Sequence, residues 1–336
     1  MNDQALDTRP ANTSFSLQLP TLQLVIDSTS LGTFKECPRK YYYRHVEGWV
    51  PRQTSHHLLF GSWLHEGREF YERGRAKSLD HETALKASVL HLLDATFNHV
   101  TGRAWNSGDR IKSRETLIQT LVWYLDSFGR DDSAQTIILA NGKPAIELSF
   151  KFTPKDYYSE REFTSHVTGE HIYFSGHLDR LAELQGSTYI CDLKTTGASS
   201  LGQSYFAQFN PDNQVSFYTY AGKWGLDTPE TPEKKEIAGV IIDAAQIRVT
   251  GTRFERQIIP RTNPQIVEWL EDTKHWIALM GIYAEANRWP MNDKACHHYG
   301  GCPYREVCSR TPGARQNWLE TDYVRDVWDP AKPRGE

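Results

Sequence analysis

The sequence predicts an α/β fold: a mixed central sheet flanked by helices, with a helical insert near residues 75–135. Three observations predict it. Apolar residues recur at helical spacing as far as Phe128, the spacing switches to strict alternation from Ile146, and the later strands are interleaved with helical patterns. The 336 residues are 39% hydrophobic and 24% charged, with ten Trp, sixteen Tyr and fourteen Phe, enough to build one large core.

Residues 1–22 are mixed polar with Pro10 and Pro20 and read as a mobile tail; 23–320 read as a single domain and 321–336 as a C-terminal tail. Ser28-Thr29-Ser30 offer N-cap oxygens ahead of Leu31, Phe34, Tyr41 and Tyr42, so a helix starts there. Pro38, with no N–H to donate, breaks or restarts it. Gly61 precedes a second helical pattern through Tyr71, and helices follow over about 81–99 and 113–128, the latter capped by Ser113. Ile146, Leu148, Phe150 and Phe152 alternate as in a half-buried strand. Strands follow over about 171–182 and 187–195. Asp212 and Asn213 cap a helix that Gly225 ends. Residues 239–243 and 254–259 read as a further strand pair, and Asn263-Pro264 opens a last helix to about Ala286.

The hairpin is the first candidate for chemistry. With Gln185-Gly186 as a two-residue turn, Asp179 falls opposite Asp192. Like charges there destabilise a sheet unless a divalent cation lies between them. Alternation places Lys194 on the face of Asp192, and Cys191 and Leu193 on the other. Two acids and a lysine therefore converge.

Gly176-x-x-Asp179-Arg180 followed by Asp192-x-Lys194-Thr195 resembles the core of the PD-(D/E)XK nuclease superfamily, in its RecB-like branch. Gln214-x-x-x-Tyr218 is similar to that branch's motif on the following helix, and Gly61-x-x-x-His65 resembles its helix with a metal-binding His. The resemblance implies a restriction-endonuclease-like fold and hydrolysis of phosphodiester bonds. His65, Asp179 and Asp192 would hold Mg²⁺ or Mn²⁺, the imidazole tilting the choice toward Mn²⁺. Lys194 would orient water or offset charge, and Gln214 and Tyr218 would position the DNA strand. Glu147 is a weaker candidate for the metal shell, and His177 reads as a strand surface residue.

Five cysteines cannot all pair internally, and Cys191 reads as a packed thiol. Cys296, Cys302 and Cys308 alone are open between zinc, an iron–sulfur cluster and unlinked thiols. Cys37-Pro38 resembles the N-terminal ligand of iron–sulfur nucleases of this superfamily, among them CRISPR-associated exonucleases. That resemblance implies a structural 4Fe–4S cluster on Cys37, Cys296, Cys302 and Cys308, with zinc the runner-up and His297 or His298 the substitutes for Cys296, forming a C-terminal lobe.

Thirty-eight Lys plus Arg against forty-two Asp plus Glu give a net charge of −4, which excludes a protein that coats nucleic acid by bulk charge. Yet residues 35–52 and 294–315 each carry a net +3. Arg39, Lys40 and Arg44 are the expected DNA contacts there, and Tyr41, Tyr42, Tyr43, Trp49 and Tyr304 could stack on bases. No apolar run approaches the ~20 residues of a membrane helix, and no cationic-then-apolar leader opens the chain, so the expectation is cytoplasmic. The reading is a metal-dependent deoxyribonuclease, an exonuclease on DNA ends or single strands in repair or recombination. No Gly-x4-Gly-Lys loop is present, so unwinding would need a helicase or recombination partner. The alternatives are a non-catalytic DNA-binding or assembly subunit and a zinc-stabilised hydrolase acting on something else.

Overall fold

The structure, a computed structural model, describes residues 14–53, 55–225 and 236–332, the side chains of 298–300 excepted. Its main elements are β1 (Val25–Ile26), α1 (Ser28–Glu36), α2 (His56–Ala76), α3 (His81–Ala95), α4 (Arg114–Phe128), β2 (Gln135–Thr136), β3 (Ile146–Phe152), β4 (Tyr173–Leu184), β5 (Ser187–Thr196), α5 (Asn213–Trp224), β6 (Ile237–Arg248), β7 (Gly251–Pro260) and α6 (Asn263–Glu285). Among the described residues the chain forms two compact units, one drawn from 14–53, 150–176 and 267–332, the other from 55–149, 177–225 and 236–266.

The second unit is built on β4, β5, β6 and β7 in that order. The hairpin has the register expected of its turn: Leu184 pairs with Ser187, Glu183 with Thr188 and Arg180 with Cys191. Gln185 and Gly186 have φ of 52° and 77°, the two left-handed residues of a type I′ turn. β5 then runs parallel to β6, with Asp192 beside Ile242 and Lys194 beside Ala244. A parallel neighbour requires a crossover, which α5 supplies. Its Asp212 cap accepts the Val215 N–H at 2.9 Å. A Cβ on Gly222 would come within 3.1 Å of Ile190 and 2.9 Å of Ile237, so α5 lies close on the sheet. β6 and β7 close the sheet as an antiparallel pair.

α2, α3 and α4 share one apolar cluster. Phe60, Leu64 and Tyr71 recur along α2 at helical spacing and pack with Leu92, Leu117, Leu121 and Leu125, and with Leu193 and Ile247 from the sheet. Ser113 caps α4 as expected, accepting the Thr116 N–H at 3.2 Å. Cys191 is a packed thiol, fully buried with Ala134, Ala182 and Ile241.

In the first unit the cap of α1 differs from expectation. Asp27 is the N-cap, accepting the Ser30 N–H at 2.8 Å, while Ser30 Oγ accepts the Asp27 N–H at 3.2 Å. This reciprocal box satisfies two terminal donors, where Ser28 would satisfy one. Pro38 restarts the helix after Cys37, as expected. Residues 1–13 of the expected mobile tail lie outside the described residues. Within 14–22, Ser14, Ser16 and Leu22 are buried, Leu24 N–H reaches Ser14 O and Ser16 N–H reaches Leu22 O, each at 2.8 Å, while Leu17, Gln18 and Leu19 are exposed. Near the other end, Tyr323–Arg325 pairs antiparallel with Trp49–Pro51. Tyr43, Trp49, Tyr304, Val307, Leu319 and Tyr323 form a core against which Cys302 and Cys308 pack. Tyr41, Tyr43, Trp49 and Tyr304 are therefore core side chains at 5% exposure or less, which corrects their expected role in stacking on bases. Tyr42, half-buried, stacks instead on Trp289. No helix among the described residues is long and apolar enough to cross a membrane.

Candidate active site

The hairpin and two helices, all within the second unit, bring together six of the predicted side chains. β4 carries Asp179, β5 carries Asp192 and Lys194, α2 carries His65, and α5 carries Gln214 and Tyr218. Two glycines lie on different faces of α2: a Cβ on Gly67 would come within 2.8 Å of Leu92 and 2.9 Å of Leu121, so α2 lies close on α3 and α4, while Gly61 stands beside Thr195 on β5.

One ligand atom from each of His65, Asp179 and Asp192 lies within 4.8 Å of the other two. His65 Nδ1 is 3.0 Å from Asp179 Oδ2, while its Nε2 lies 2.5 Å from the Leu193 carbonyl. A carbonyl can only accept, so Nε2 bears a proton and Nδ1 is the atom that faces the carboxylate. Asp179 Oδ2 is buried and receives no aligned hydrogen bond. A cation between the two, whether a proton on Nδ1 or a metal ion, would satisfy both atoms at once. Two ligands at about 2.1 Å and a right angle stand about 3.0 Å apart, so the residues fit a divalent ion. The backbone carbonyl behind His65 is the outer support such a ligand normally has.

Lys194 Nζ lies 2.7 Å from Asp192 Oδ2 and donates to Gln214 Oε1 at 2.5 Å; Gln214 Nε2 donates to Tyr218 Oη at 3.1 Å. Burial lowers the affinity of Lys194 for its proton, but Asp192 and Asp179 outweigh it and its pKa is raised. Lys194 is therefore an ammonium at neutral pH. Burial raises Asp192, and the charge of Asp179 adds to this. Burial also works to raise Asp179, but His65, Arg68 and Lys194 reverse it and hold that carboxyl well below its ordinary range. Two close, coupled carboxylates split in this way because each charge disfavours the other. His65 is pushed down by burial and up, in net, by Asp179 and Asp192.

Three features escaped sequence reasoning. Arg68, one turn beyond His65 on α2, is 3% exposed, and its terminal nitrogens have no hydrogen-bond partner among the described residues. Its i, i+3 spacing from His65 was the available signal. The Leu193 carbonyl left no signal, because it is backbone. Behind the site, Arg180 bonds Glu72 and Asp132 at 3.0 Å each, and Arg256 bonds Asp132 and Asp243 at 2.5 Å each. Tyr124 donates to Asp243 at 2.7 Å. This buried network holds the strand residue next to Asp179. Glu147 is half-buried with φ of 50° and stands outside the His65–Asp179–Asp192 group, and His177 is half-buried on β4.

The four remaining cysteines, all free thiols, belong to the first unit. Cys37 Sγ accepts the Asn292 N–H at 3.4 Å, Arg39 N–H reaches Pro290 O at 3.0 Å, and Cys302 N–H reaches Cys296 O at 3.0 Å. These bonds seat the N-terminal cysteine beside the C-terminal three. Burial raises Cys302, with Cys37 and Cys296 adding to it. Cys308 is pushed up to about 11 by burial, with Cys302 and Cys37 contributing. A tetrahedral zinc needs sulfurs about 3.8 Å apart; among the described residues no three of these sulfurs lie within 4.8 Å of one another. Nearby, Arg39 Nε donates to Trp289 O at 2.6 Å, Lys40 pairs with Glu36 at 2.6 Å, and Arg44 lies over Trp328 with Asp326 at 3.8 Å.

A family model described as the PD-(D/E)XK nuclease superfamily matches residues 28–309. No curated protein matches the chain. Among solved structures, the chain is similar to a candidate exonuclease from Eubacterium rectale, 12% identical, covering 82% of this chain and 88% of that one with a TM-score of 0.44. It is also similar to SSO0001, 13% identical, covering 75% of each chain with a TM-score of 0.28.

Proposed function

The chain belongs to the PD-(D/E)XK nuclease superfamily, and on that premise we propose that it is a Mn²⁺- or Mg²⁺-dependent deoxyribonuclease, an exonuclease acting on DNA ends or single strands. The observation that carries this is the convergence of His65, Asp179 and Asp192 within 4.8 Å with Lys194 beside them. When bound by those three residues, a divalent ion supplies water activation and offsets charge on the phosphoryl oxygens.

The chain's own groups do the rest. The Leu193 carbonyl holds His65 with Nδ1 turned inward. Lys194, 2.7 Å from Asp192, orients the attacking water or offsets charge on the reacting phosphate. Gln214 fixes the Lys194 ammonium through its carbonyl, and its amide in turn engages the Tyr218 hydroxyl, leaving α5 to set where the strand rests. Asp179 stays ionised across the working pH range.

In the other unit, Cys37, Cys296, Cys302 and Cys308 hold a structural 4Fe–4S cluster, a reading supported by the cysteine pattern and by the bond from Asn292 N–H to Cys37 Sγ that ties the N-terminal cysteine to the C-terminal segment. Arg39, Lys40 and Arg44 form its basic DNA-facing surface, although each also has an intramolecular contact. The protein works in the cytoplasm, in repair or recombination, with a helicase or recombination partner supplying unwinding.

End-labelled single- and double-stranded DNA incubated with Mn²⁺ or Mg²⁺ should be degraded by the parent and left intact by Asp192→Ala and Lys194→Ala. Digestion by those variants at the parent rate would refute the assignment. Measurable binding without any cleavage by the parent would instead favour a non-catalytic subunit.

A further inference from the structure

A second cluster of metal-ligating side chains lies apart from the residues above, at the start of α2. His56 and His57 open the helix, and Asp109 reaches them from the loop before α4. One ligand atom from each lies within 4.8 Å of the other two. His56 Nε2 is 3.1 Å from Asp109 Oδ2, and the two imidazole rings lie 4.0 Å apart between centroids. Two ligands at about 2.05 Å and a tetrahedral angle stand about 3.3 Å apart, so the His56–Asp109 spacing already fits.

The loop is prepared for this role by its own hydrogen bonds. Asp109 Oδ1 accepts the N–H groups of Ile111 and Lys112 at 2.6 and 3.0 Å, which leaves Oδ2 turned toward the histidines. Asp109 N–H is held by Ser107 Oγ at 3.0 Å, and Gly108 N–H by Asn106 at 2.9 Å. Such outer bonds orient a first ligand atom. A simple ion pair accounts for His56 and Asp109 but not for a second imidazole folded onto the first.

The same surroundings select the ion. The helix start is electropositive, and Lys112, 7% exposed with its ammonium over Phe60, adds a nearby charge. A hard ion such as Mg²⁺, bound by charge alone, gains little here. An N₂O set of two imidazoles and one carboxylate suits a borderline-soft ion whose bonds to nitrogen are strong.

We infer that His56, His57 and Asp109 form a Zn²⁺ site, separate from the nuclease centre, that pins the loop around 106–112 to the start of α2. His65 lies nine residues further along that helix, about 14 Å at 1.5 Å per residue, so the site steadies the element that presents it.

The test is Zn²⁺ binding to the full chain by equilibrium dialysis and metal analysis, with Mg²⁺ in excess. The parent should hold about one zinc more than His57→Ala, and His65→Ala should keep that zinc. His57 is exposed, so its replacement leaves the fold intact, which circular dichroism checks. His56→Ala should weaken zinc binding by at least about tenfold. Zinc should raise the melting temperature of the parent and not that of His57→Ala. Equal zinc content in the parent and His57→Ala overturns the inference, and so does loss of this zinc in His65→Ala alone, which would place it in the nuclease centre.

Discussion

Asp132→Asn is isosteric, removes the charge and turns one accepting oxygen into an NH₂ donor that faces a guanidinium. Asp132 is the shared partner of two buried cations: Arg180 lies 3.0 Å from Oδ2, and Arg256 reaches Oδ1 at 2.5 Å and Oδ2 at 3.3 Å. Arg180 is 3% exposed and the Asp132 side chain 9%, so solvent cannot replace the lost charge. Breaking a buried pair from one side costs about 3–5 kcal/mol. Arg180 keeps Glu72 and Arg256 keeps Asp243, which puts the expected loss at the lower end, about 3 kcal/mol. At about 2–4 °C per kcal/mol for a unit of this size, the melting temperature should fall by about 6–12 °C. Burial works to raise the Asp132 pKa, but Arg256 and Arg180 outweigh it and the value in the folded chain is lowered. The stabilisation is thus fully present above the unfolded value of about 3.9 and is lost as the pH falls through the lower folded value. Thermal melts followed by circular dichroism at pH 7 and down an acid series should show a large gap between parent and variant that narrows below about pH 4. A variant melting within about 1 °C of the parent at pH 7 would show that the network carries no net stability and refute the reasoning.

Gly67→Ala forces a methyl against Leu92 and Leu121 and should destabilise by about 1–3 kcal/mol in a urea titration; an unchanged midpoint would mean that α2 can back away from α3 and α4. Gln214→Leu removes the acceptor that fixes Lys194 and should slow DNA degradation by about 10–100-fold with little change in melting temperature; an unchanged rate would relieve Gln214 of its positioning role. Metal analysis of anaerobically purified protein should find about four irons with matching sulfide, both lost in Cys37→Ser; no iron, with a zinc that Cys37→Ser loses and His57→Ala keeps, would replace the cluster with a zinc site.

The hairpin was legible because its information is local. A two-residue turn and a period of two fix which side chains face each other, and Asp179, Asp192 and Lys194 fall where that arithmetic puts them. Gln214 and Tyr218 were legible for the same reason on a helix. The ion network was not, because Arg180 finds Asp132 across 48 positions and Glu72 across 108, while Arg256 finds Asp132 across 124. The burial of Ser14 and Ser16 was not legible either, since both are polar, and they are satisfied by distant backbone and side-chain partners. The tyrosines of 41–43 misled, since a ring able to stack on a base is equally able to fill a core, and Tyr41 packs edge-on against Phe34.

The hairpin also limits which changes of length the chain can survive. Gln185 and Gly186 can accept additions, since a larger loop leaves both strands paired as before and nothing crowds Gly186. The five residues from Ser187 to Cys191 have no such freedom. One residue added among them would put Asp192 in the place of Leu193, in the apolar cluster with Phe60 and Leu64, and move a packed thiol into the site. A bulge could absorb the extra residue against one neighbour, as Ala238 already does between β5 and β6. Here it would have to do so against β4 and β6 at once. Relatives of this chain can therefore differ freely in the length of the turn, but the count from the turn to the second acid must stay the same.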